Sequence, residues 1–215
     1  MPDLPRPVLM LVTDRNLAGG EDALAEAIAV AVEGGVNVVQ LREKDMGSQE
    51  LSVLAGRLRE ALAGRSLLIV NGDADVAAEA DGLHLPEGAG FARVEGKLVG
   101  RSVHSVEAAQ QAAAEGVDYI VAGSIFATGS HEGETPVGLR LLSEATNAVD
   151  VPVIAIGGIT SERVHDVMAA GAAGVAVISA ILGSESPGGA AHALRSALDG
   201  ERKRTDRDEP SVERR

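Results

Sequence analysis

The stretch VIAIGGITSERVHDVMAAGAAGVAVISA, residues 153–180, contains two short apolar runs separated by a helical pattern. The runs at 153–156 and 174–178 predict strands, and the spacing of apolar residues over 161–170 predicts a helix. Gly171 follows this helix at the position where a left-handed residue commonly ends one. Two strands joined through one helix by such short connections pair in parallel, so their carboxyl ends lie at the same edge of the sheet.

The same alternation of apolar run and helical pattern extends over most of the chain. Eight such strands in 215 residues predict an α/β fold of one domain, the single (β/α)₈ TIM barrel. Only one or two helical turns fit after the third and fourth strands, so a doubly wound open sheet is the alternative. The predicted strands are residues 8–13, 36–42, 67–71, 82–85, 98–103, 119–126, 153–156 and 174–178. The predicted helices are residues 21–33, 48–63, 105–115, 139–148, 161–170 and 189–198.

Apolar periodicity ends near Glu201, and the residues that follow are mostly charged. A segment that buries little apolar surface does not gain enough free energy to offset the entropy lost on ordering. We therefore predict a TIM-barrel domain over residues 1–200 and a charged disordered tail over residues 201–215.

The formal net charge of −13 and the aromatic content of 1% weigh against a nucleic-acid partner, which requires a basic face and stacking platforms. The chain has no cysteine, which excludes disulfides and thiolate metal sites. No apolar stretch approaches the length of a membrane span, and the start MPDLP lacks the pattern of a signal peptide. The expected location is the cytoplasm, with no membrane partner.

Polar residues cluster at the carboxyl end of the second predicted strand. Alternation places Gln40, Arg42 and Lys44 on one side of this strand, so that an amide and two cations point toward the mouth of the barrel. This set suits a phosphate and a polar ring. In the alternative interpretation the two cations pair with neighbouring carboxylates, which are Glu43, Asp45 and Glu50.

Two glycines follow the seventh predicted strand directly. Gly157 and Gly158 precede a predicted helix and leave backbone N–H groups free at its positive end, where a phosphate binds well. Ile178 and Ser179 occupy the corresponding place after the eighth strand, and phosphate sites recur at these two loops in this fold. We predict that all four residues bind a phosphate.

Two histidines near the mouth are candidate proton carriers at neutral pH. His104 lies two residues beyond Ser102 and faces the same way; its alternative role is structural, as a helix cap or a support for another side chain. His131 belongs to the long polar loop at 127–136, which suits either a lid over a ligand or a mobile surface loop. The spacing of the histidines indicates no metal site, and His84 is interpreted as structural.

Several of these motifs resemble those of one family, thiamine phosphate synthase together with its relative, the thiazole tautomerase TenI. The resemblance extends over residues 11–191, with the motifs in the family's order and spacing. It implies a barrel, a role in thiamine biosynthesis and a thiazole phosphate ligand. The shared motifs are QLREK at 40–44, SVHS at 102–105, DY at 118–119, IAIGGI at 154–159 and GVAVISA at 174–180.

The resemblance also implies roles for single residues. The family's Thr-x-Thr-Lys loop corresponds to TGSH at 128–131, so Thr128 and Ser130 are expected to bind substrate, and an imidazole replaces the cation. The residues expected to contact the pyrimidine partner or its pyrophosphate are Gln40, Arg42, Lys44, Asn71 and Ser102, and those expected to hold the thiazole phosphate are Gly158, Ile178 and Ser179.

The sequence departs from the synthase where Mg²⁺ is expected to bind. In the synthase an Asp follows the Asn that ends the third strand, and a second Asp stands in the loop after the fourth strand. Together these place Mg²⁺ on the departing pyrophosphate. Here Gly72 follows Asn71, and the loop reads LPEG at 85–88, so the two carboxylates are missing from their expected places. Asp73 and Glu87 remain as candidate substitutes.

The sequence departs from the tautomerase in a different strand. That enzyme carries its catalytic His after a Gly in the sixth strand, whereas here Ser124 follows Gly123. A serine does not by itself carry a proton at neutral pH, so His104 or His131 would have to supply the acid and the base.

On balance the sequence favours an isomerase, a thiazole tautomerase that moves a proton between carbons of a thiazole carboxylate phosphate and needs no metal or other cofactor. The alternative is a transferase, thiamine phosphate synthase, which joins a pyrimidine pyrophosphate to thiazole phosphate with Mg²⁺ as cofactor and releases pyrophosphate. A third interpretation is a protein that binds the thiazole without catalysis. The expected ligand is a small phosphorylated thiazole in each case, and a homodimer is left open as the assembly.

Overall fold

The computed structural model describes residues 2–128 and 136–208, which form a closed barrel of eight parallel strands. The last strand pairs with the first, so the sheet has no free edge. The predicted single TIM barrel is confirmed, and the open sheet is wrong. The strands are β1 (Val8–Val12), β2 (Val38–Leu41), β3 (Leu67–Asn71), β4 (Gly82–Leu85), β5 (Leu98–Val103), β6 (Tyr119–Ala122), β7 (Val153–Ile156) and β8 (Gly174–Val177).

A helix follows every strand except β4, which the described residues 86–97 join to β5 without one, and side chains cap several of these helices. In one example the Ser105 side chain accepts a hydrogen bond from the N–H of Ala108, and Gly116 ends the same helix at a φ of 86°. None of the helices in the described ranges combines the length and the apolar composition that a bilayer-spanning segment needs. The helices are α1 (Arg15–Ala18), α2 (Glu21–Glu33), α3 (Ser48–Leu62), α4 (Ala74–Ala77), α5 (Val106–Glu115), α6 (Gly138–Ala148), α7 (Val164–Ala169), α8 (Ser179–Leu182) and α9 (Pro187–Asp208).

The end of α9 differs most from the prediction. The helix continues to Asp208, whereas the sequence predicts a disordered tail from residue 201. Glu201, inside this extension, lies 2.9 Å from Nδ1 of His165 on α7 and 3.3 Å from Arg204 on α9, so one side-chain contact joins the extension to α7. Residues 209–215 lie outside the described residues, and the boundary of the domain stays a prediction.

Apolar side chains fill the barrel and the space around it. Because successive strand residues point to opposite faces, one set fills the interior and the other packs against the helices. Near the carboxyl ends of the strands the inward positions become polar, as at Gln40 of β2 and His84 of β4. The fold therefore places a packed core below a polar mouth. The interior set is Val8, Met10, Val12, Val38, Ile69, Leu98, Tyr119, Val121, Ile154 and Ala176.

The pairing of β8 with β1, which we call the seam, requires a glycine at position 174. A Cβ added to Gly174 would lie 2.2 Å from the carbonyl oxygen of Val8 and 2.6 Å from its nitrogen, and no rotamer change moves these backbone atoms. Gly174→Ala should therefore lower the free energy of unfolding by about 3 kcal/mol, the upper end of the range for overpacking. Urea denaturation measures this loss.

Gly56→Ala is the matched control, because Gly56 lies on the exposed side of α3 with no atom within 4 Å of an added Cβ. This variant should gain about 0.5–1 kcal/mol from higher helix propensity. A Gly174→Ala protein as stable as the wild type would contradict the account of the seam.

Candidate functional site

The mouth of the barrel holds a cleft of about 770 Å³ at the carboxyl ends of the strands. Every predicted site residue that the structure describes borders this cleft, although their roles stay predictions. Ser130 and His131 lie outside the described residues. The predicted residues that line the cleft are Gln40, Arg42, Lys44, Asn71, Ser102, His104, Thr128, Gly157, Gly158, Ile178 and Ser179.

The two cations that follow β2 are available to a ligand. With the residues that the structure describes, Arg42 and Lys44 form no side-chain hydrogen bond or ion pair. Burial lowers the pKa of the Arg42 guanidinium, and its effect outweighs the opposing effect of the carboxylates of Asp14 and Glu43. Such a group gains strongly from an anionic ligand.

The alternative that these cations pair with neighbouring carboxylates is wrong for each candidate. Arg15 holds two of them, contacting Glu43 at 3.1 Å and Asp45 at 2.6 Å. The third, Glu50, accepts a hydrogen bond of 2.9 Å from the N–H of Gly47 at the start of α3. An arginine distant in sequence therefore diverts the acidic neighbours of the cleft cations.

Two amides extend this polar wall. The Gln40 side chain is 4% exposed, and within the described part of the chain neither it nor Asn71 makes a side-chain hydrogen bond. Buried amides normally have partners, because desolvation without a hydrogen bond is costly. Both amides border the cleft, so their donors and acceptors are available to a ligand there.

The loops after β7 and β8 have the geometry expected of a phosphate site. Gly157 and Gly158 have φ values of 105° and 61°, and a Cβ on Gly158 would lie 2.5 Å from the carbonyl oxygen of Ala127. The N–H groups of Ser179 and Ala180 begin α8 and have no acceptor within the helix. The residues that carry these backbone N–H groups therefore border the cleft.

Sequence reasoning missed Arg163, which lies beside these loops. Its guanidinium donates to the carbonyl oxygen of Gly158 and lies 4.6 Å from the centre of the Phe126 ring. The side chain borders the cleft and is exposed, so it adds a third cation near the phosphate loops. The available signal was its position five residues after Gly158, in the 3₁₀ turn Ser161–Arg163.

His104 stands at the rim and is not free. Its Nδ1 lies 2.6 Å from Glu87, whose carboxylate also accepts from the His104 N–H at 3.1 Å. The Glu87 loop is itself held, because Arg101 donates to the carbonyl oxygen of Ala89 at 2.7 Å. The helix-capping role is wrong for His104, since Ser105 caps α5.

His84 belongs to the floor of the cleft, where sequence reasoning saw only a structural residue. Its ring is buried, with Nδ1 3.2 Å from the Tyr119 hydroxyl and Nε2 2.8 Å from Oγ of Ser102. Burial, together with the charges of Arg42 and Arg101, lowers the pKa of His84 to about 3. The imidazole is therefore neutral at physiological pH.

The described residues do not form the two-carboxylate magnesium site of the synthase. Asp73 caps α4: its carboxylate accepts from the N–H of Val76 at 3.0 Å and from Oγ of Ser48 at 2.5 Å. Glu87 is the only carboxylate that lines the cleft within the described ranges, and it contacts His104. The same ranges contain no group of three or more potential metal ligands. Of the two candidate substitutes, Glu87 alone borders the cleft.

Comparison with known proteins identifies the family. The family model for thiamine monophosphate synthase matches residues 9–181. The chain is 42% identical over 201 residues to a putative thiamine-phosphate synthase of Geobacter sulfurreducens, covering 88% of this chain and 93% of that protein. It is 44% identical over 200 residues to a thiamine-phosphate synthase of Methanoculleus marisnigri, covering 88% and 94%.

Solved structures agree. Thiamine phosphate pyrophosphorylase from Pyrococcus furiosus superposes with a TM-score of 0.80 at 32% identity, covering 90% of this chain and 96% of that one. A 3-hexulose-6-phosphate synthase, at a TM-score of 0.68 and 22% identity, shares the fold. The chain therefore belongs to the thiamine monophosphate synthase family, whose members serve thiamine biosynthesis.

Proposed function

We propose that this chain is a thiamine-phosphate synthase, a transferase that joins a pyrimidine pyrophosphate to thiazole phosphate. The names of its relatives support this choice over the tautomerase that the sequence alone favours. The observation that carries the proposal is that one cleft combines two features suited to anions, which lie on opposite sides of β1 in the barrel. Arg42 and Lys44 follow β2, and the phosphate loops follow β7 and β8. Two phosphorylated substrates need two such features.

The proposed reaction assigns a task to each feature. The bond between the pyrimidine methylene carbon and a pyrophosphate oxygen breaks, the electron pair leaves with the pyrophosphate, and the thiazole nitrogen bonds to the carbon. Arg42 and Lys44 stabilise the charge that grows on the leaving group. The backbone donors of Gly158 and Ser179 hold the thiazole phosphate, so that its nitrogen is oriented for attack.

Mg²⁺ stays a prediction for this reaction. The described carboxylates do not fit the family's metal site. In this proposal the cations of the cleft therefore stabilise much of the negative charge on the leaving pyrophosphate. The same observation favours the tautomerase as the second candidate function, since that isomerase needs no metal, and His104 with Glu87 supplies an acid–base pair at the rim.

Turnover assays decide between the candidates. Both substrates with Mg²⁺ should yield thiamine phosphate and pyrophosphate, and EDTA measures how much of the rate depends on metal. Proton exchange on the thiazole carboxylate phosphate in EDTA, without coupling, would favour the tautomerase. Tight binding with neither reaction would leave a ligand-binding protein.

Removing a cleft cation should slow the synthase. Arg42→Gln or Lys44→Gln should each lower kcat/KM for the pyrimidine pyrophosphate by about 10- to 100-fold, the range for a charge-assisted hydrogen bond. Arg140→Gln is the matched control, because Arg140 is an exposed cation on α6 that contacts only Glu144 among the described residues, and its rate should be unchanged. Equal rates in all three variants would contradict the assignment.

The second feature is tested through the other substrate. Gly158→Ala places a Cβ against Ala127 and should raise KM for thiazole phosphate by about 10-fold or more, while KM for the pyrimidine pyrophosphate changes little. Gly56→Ala serves again as the control with unchanged kinetics. An equal loss for both substrates would indicate a general disturbance of the cleft instead of a phosphate site.

A further inference from the structure

We infer that a buried relay, Tyr119 to His84 to Ser102, fixes the Ser102 hydroxyl as a hydrogen-bond donor to the ligand. His84 and Tyr119 would then be positioning residues, and the group they select would be an acceptor such as an unprotonated ring nitrogen or a phosphate oxygen. The identity of the ligand rests on the proposed function, whereas the state of the relay does not.

The relay links the core to the cleft. The Tyr119 hydroxyl lies 3.2 Å from Nδ1 of His84, and Nε2 of His84 lies 2.8 Å from Oγ of Ser102. Tyr119 is 0% exposed and His84 is 1% exposed, so water does not compete for either ring. Ser102 is half-buried and borders the cleft, where it forms the polar end of the relay.

Hydrogen-bond satisfaction selects the tautomer of His84. If Nδ1 carried the proton, it would donate to the Tyr119 oxygen, and the buried phenol hydrogen would find no acceptor among the described residues. If Nε2 carries the proton, Tyr119 donates to Nδ1 and Nε2 donates to Ser102. Leaving a buried donor unsatisfied costs more than a made hydrogen bond returns, so the Nε2–H tautomer is favoured.

The charged imidazolium is disfavoured for the same reason. Both ring nitrogens would then be donors, and the buried hydroxyl hydrogen of Tyr119 would again have no acceptor among the described residues. Burial and the neighbouring charges of Arg42 and Arg101 also lower the pKa of His84 to about 3. The neutral ring therefore persists through the physiological range.

The tautomer of His84 determines whether Ser102 offers the ligand a hydrogen-bond donor or only an acceptor. With Nε2–H donating to Oγ, the hydroxyl hydrogen of Ser102 is left for the cleft, since no described residue accepts it. In the other tautomer Ser102 would donate to His84 and present only lone pairs. A proton position in the core thus decides whether the site offers a donor.

The register of three neighbouring strands places the rings of His84 and Tyr119 in contact. His84 of β4 is in register with Gly100 of β5, which is in register with Tyr119 of β6. A Cβ on Gly100 would lie 2.1 Å from the Tyr119 ring, so only glycine at this position of β5 leaves room for the ring. The two rings lie 5.7 Å apart between centroids with planes inclined by 30°.

Nitrogen-15 NMR of the imidazole rings tests the relay directly in the free wild-type protein. We expect the Nε2–H tautomer of His84, unchanged between pH 5 and pH 8. An Nδ1–H tautomer, or titration within this range, would overturn the inference. This measurement needs neither turnover nor a variant, so it separates failure of the relay from failure of the proposed function.

A double-mutant cycle then tests whether the relay acts on the ligand. Ser102→Ala should weaken calorimetric binding of the pyrimidine pyrophosphate by about 2- to 10-fold, the range for one net hydrogen bond. Tyr119→Phe should cause a smaller loss, and the double variant should lose no more than Ser102→Ala alone. Additive losses would show that Tyr119 has a merely structural role and would overturn the inference, as would full affinity in Ser102→Ala.

Discussion

The barrel closes because β8 and β1 approach at a position without a side chain, where the N–H of Val8 donates to the carbonyl oxygen of Ala173 at 3.1 Å beside Gly174. Closure fixes which residues of each strand point inward, and the two-residue period then brings inward residues of separate strands to one mouth. Gln40 and Ser102 meet there although 62 positions separate them in sequence. The cleft and its relay depend on this one geometric condition.

The cleft has an electrostatic character that the whole chain does not. The formal net charge is −13, yet the described cleft is bordered by Arg42, Lys44 and Arg163, with Glu87 as its single carboxylate. The difference arises because Arg15 draws two nearby carboxylates away. Local arrangement of this kind allows an acidic chain to have a cationic cleft, since close groups act more strongly than distant ones.

Periodicity and glycine placement predicted all eight strands, because strands buried on both faces read as uninterrupted apolar runs, and predicted that glycine loops border the mouth. Neither pattern could predict which side chains from distant segments of the chain form contacts. Nothing in the sequence near Glu43 indicates that Arg15 holds it, and His84 looks like any histidine in an apolar strand until its register with Tyr119 is known. The helical extension past residue 201 was missed because apolar periodicity ends there, while the contact of Glu201 with His165 joins positions 36 apart in sequence.

We propose that one cleft holds two separate anions, and a crystal structure with thiazole phosphate and pyrophosphate bound tests this proposal. We expect the thiazole phosphate against the N–H groups of Gly158 and Ser179, and the pyrophosphate against Arg42 and Lys44. A single anion shared by both features, or either anion bound elsewhere on the barrel, would contradict it.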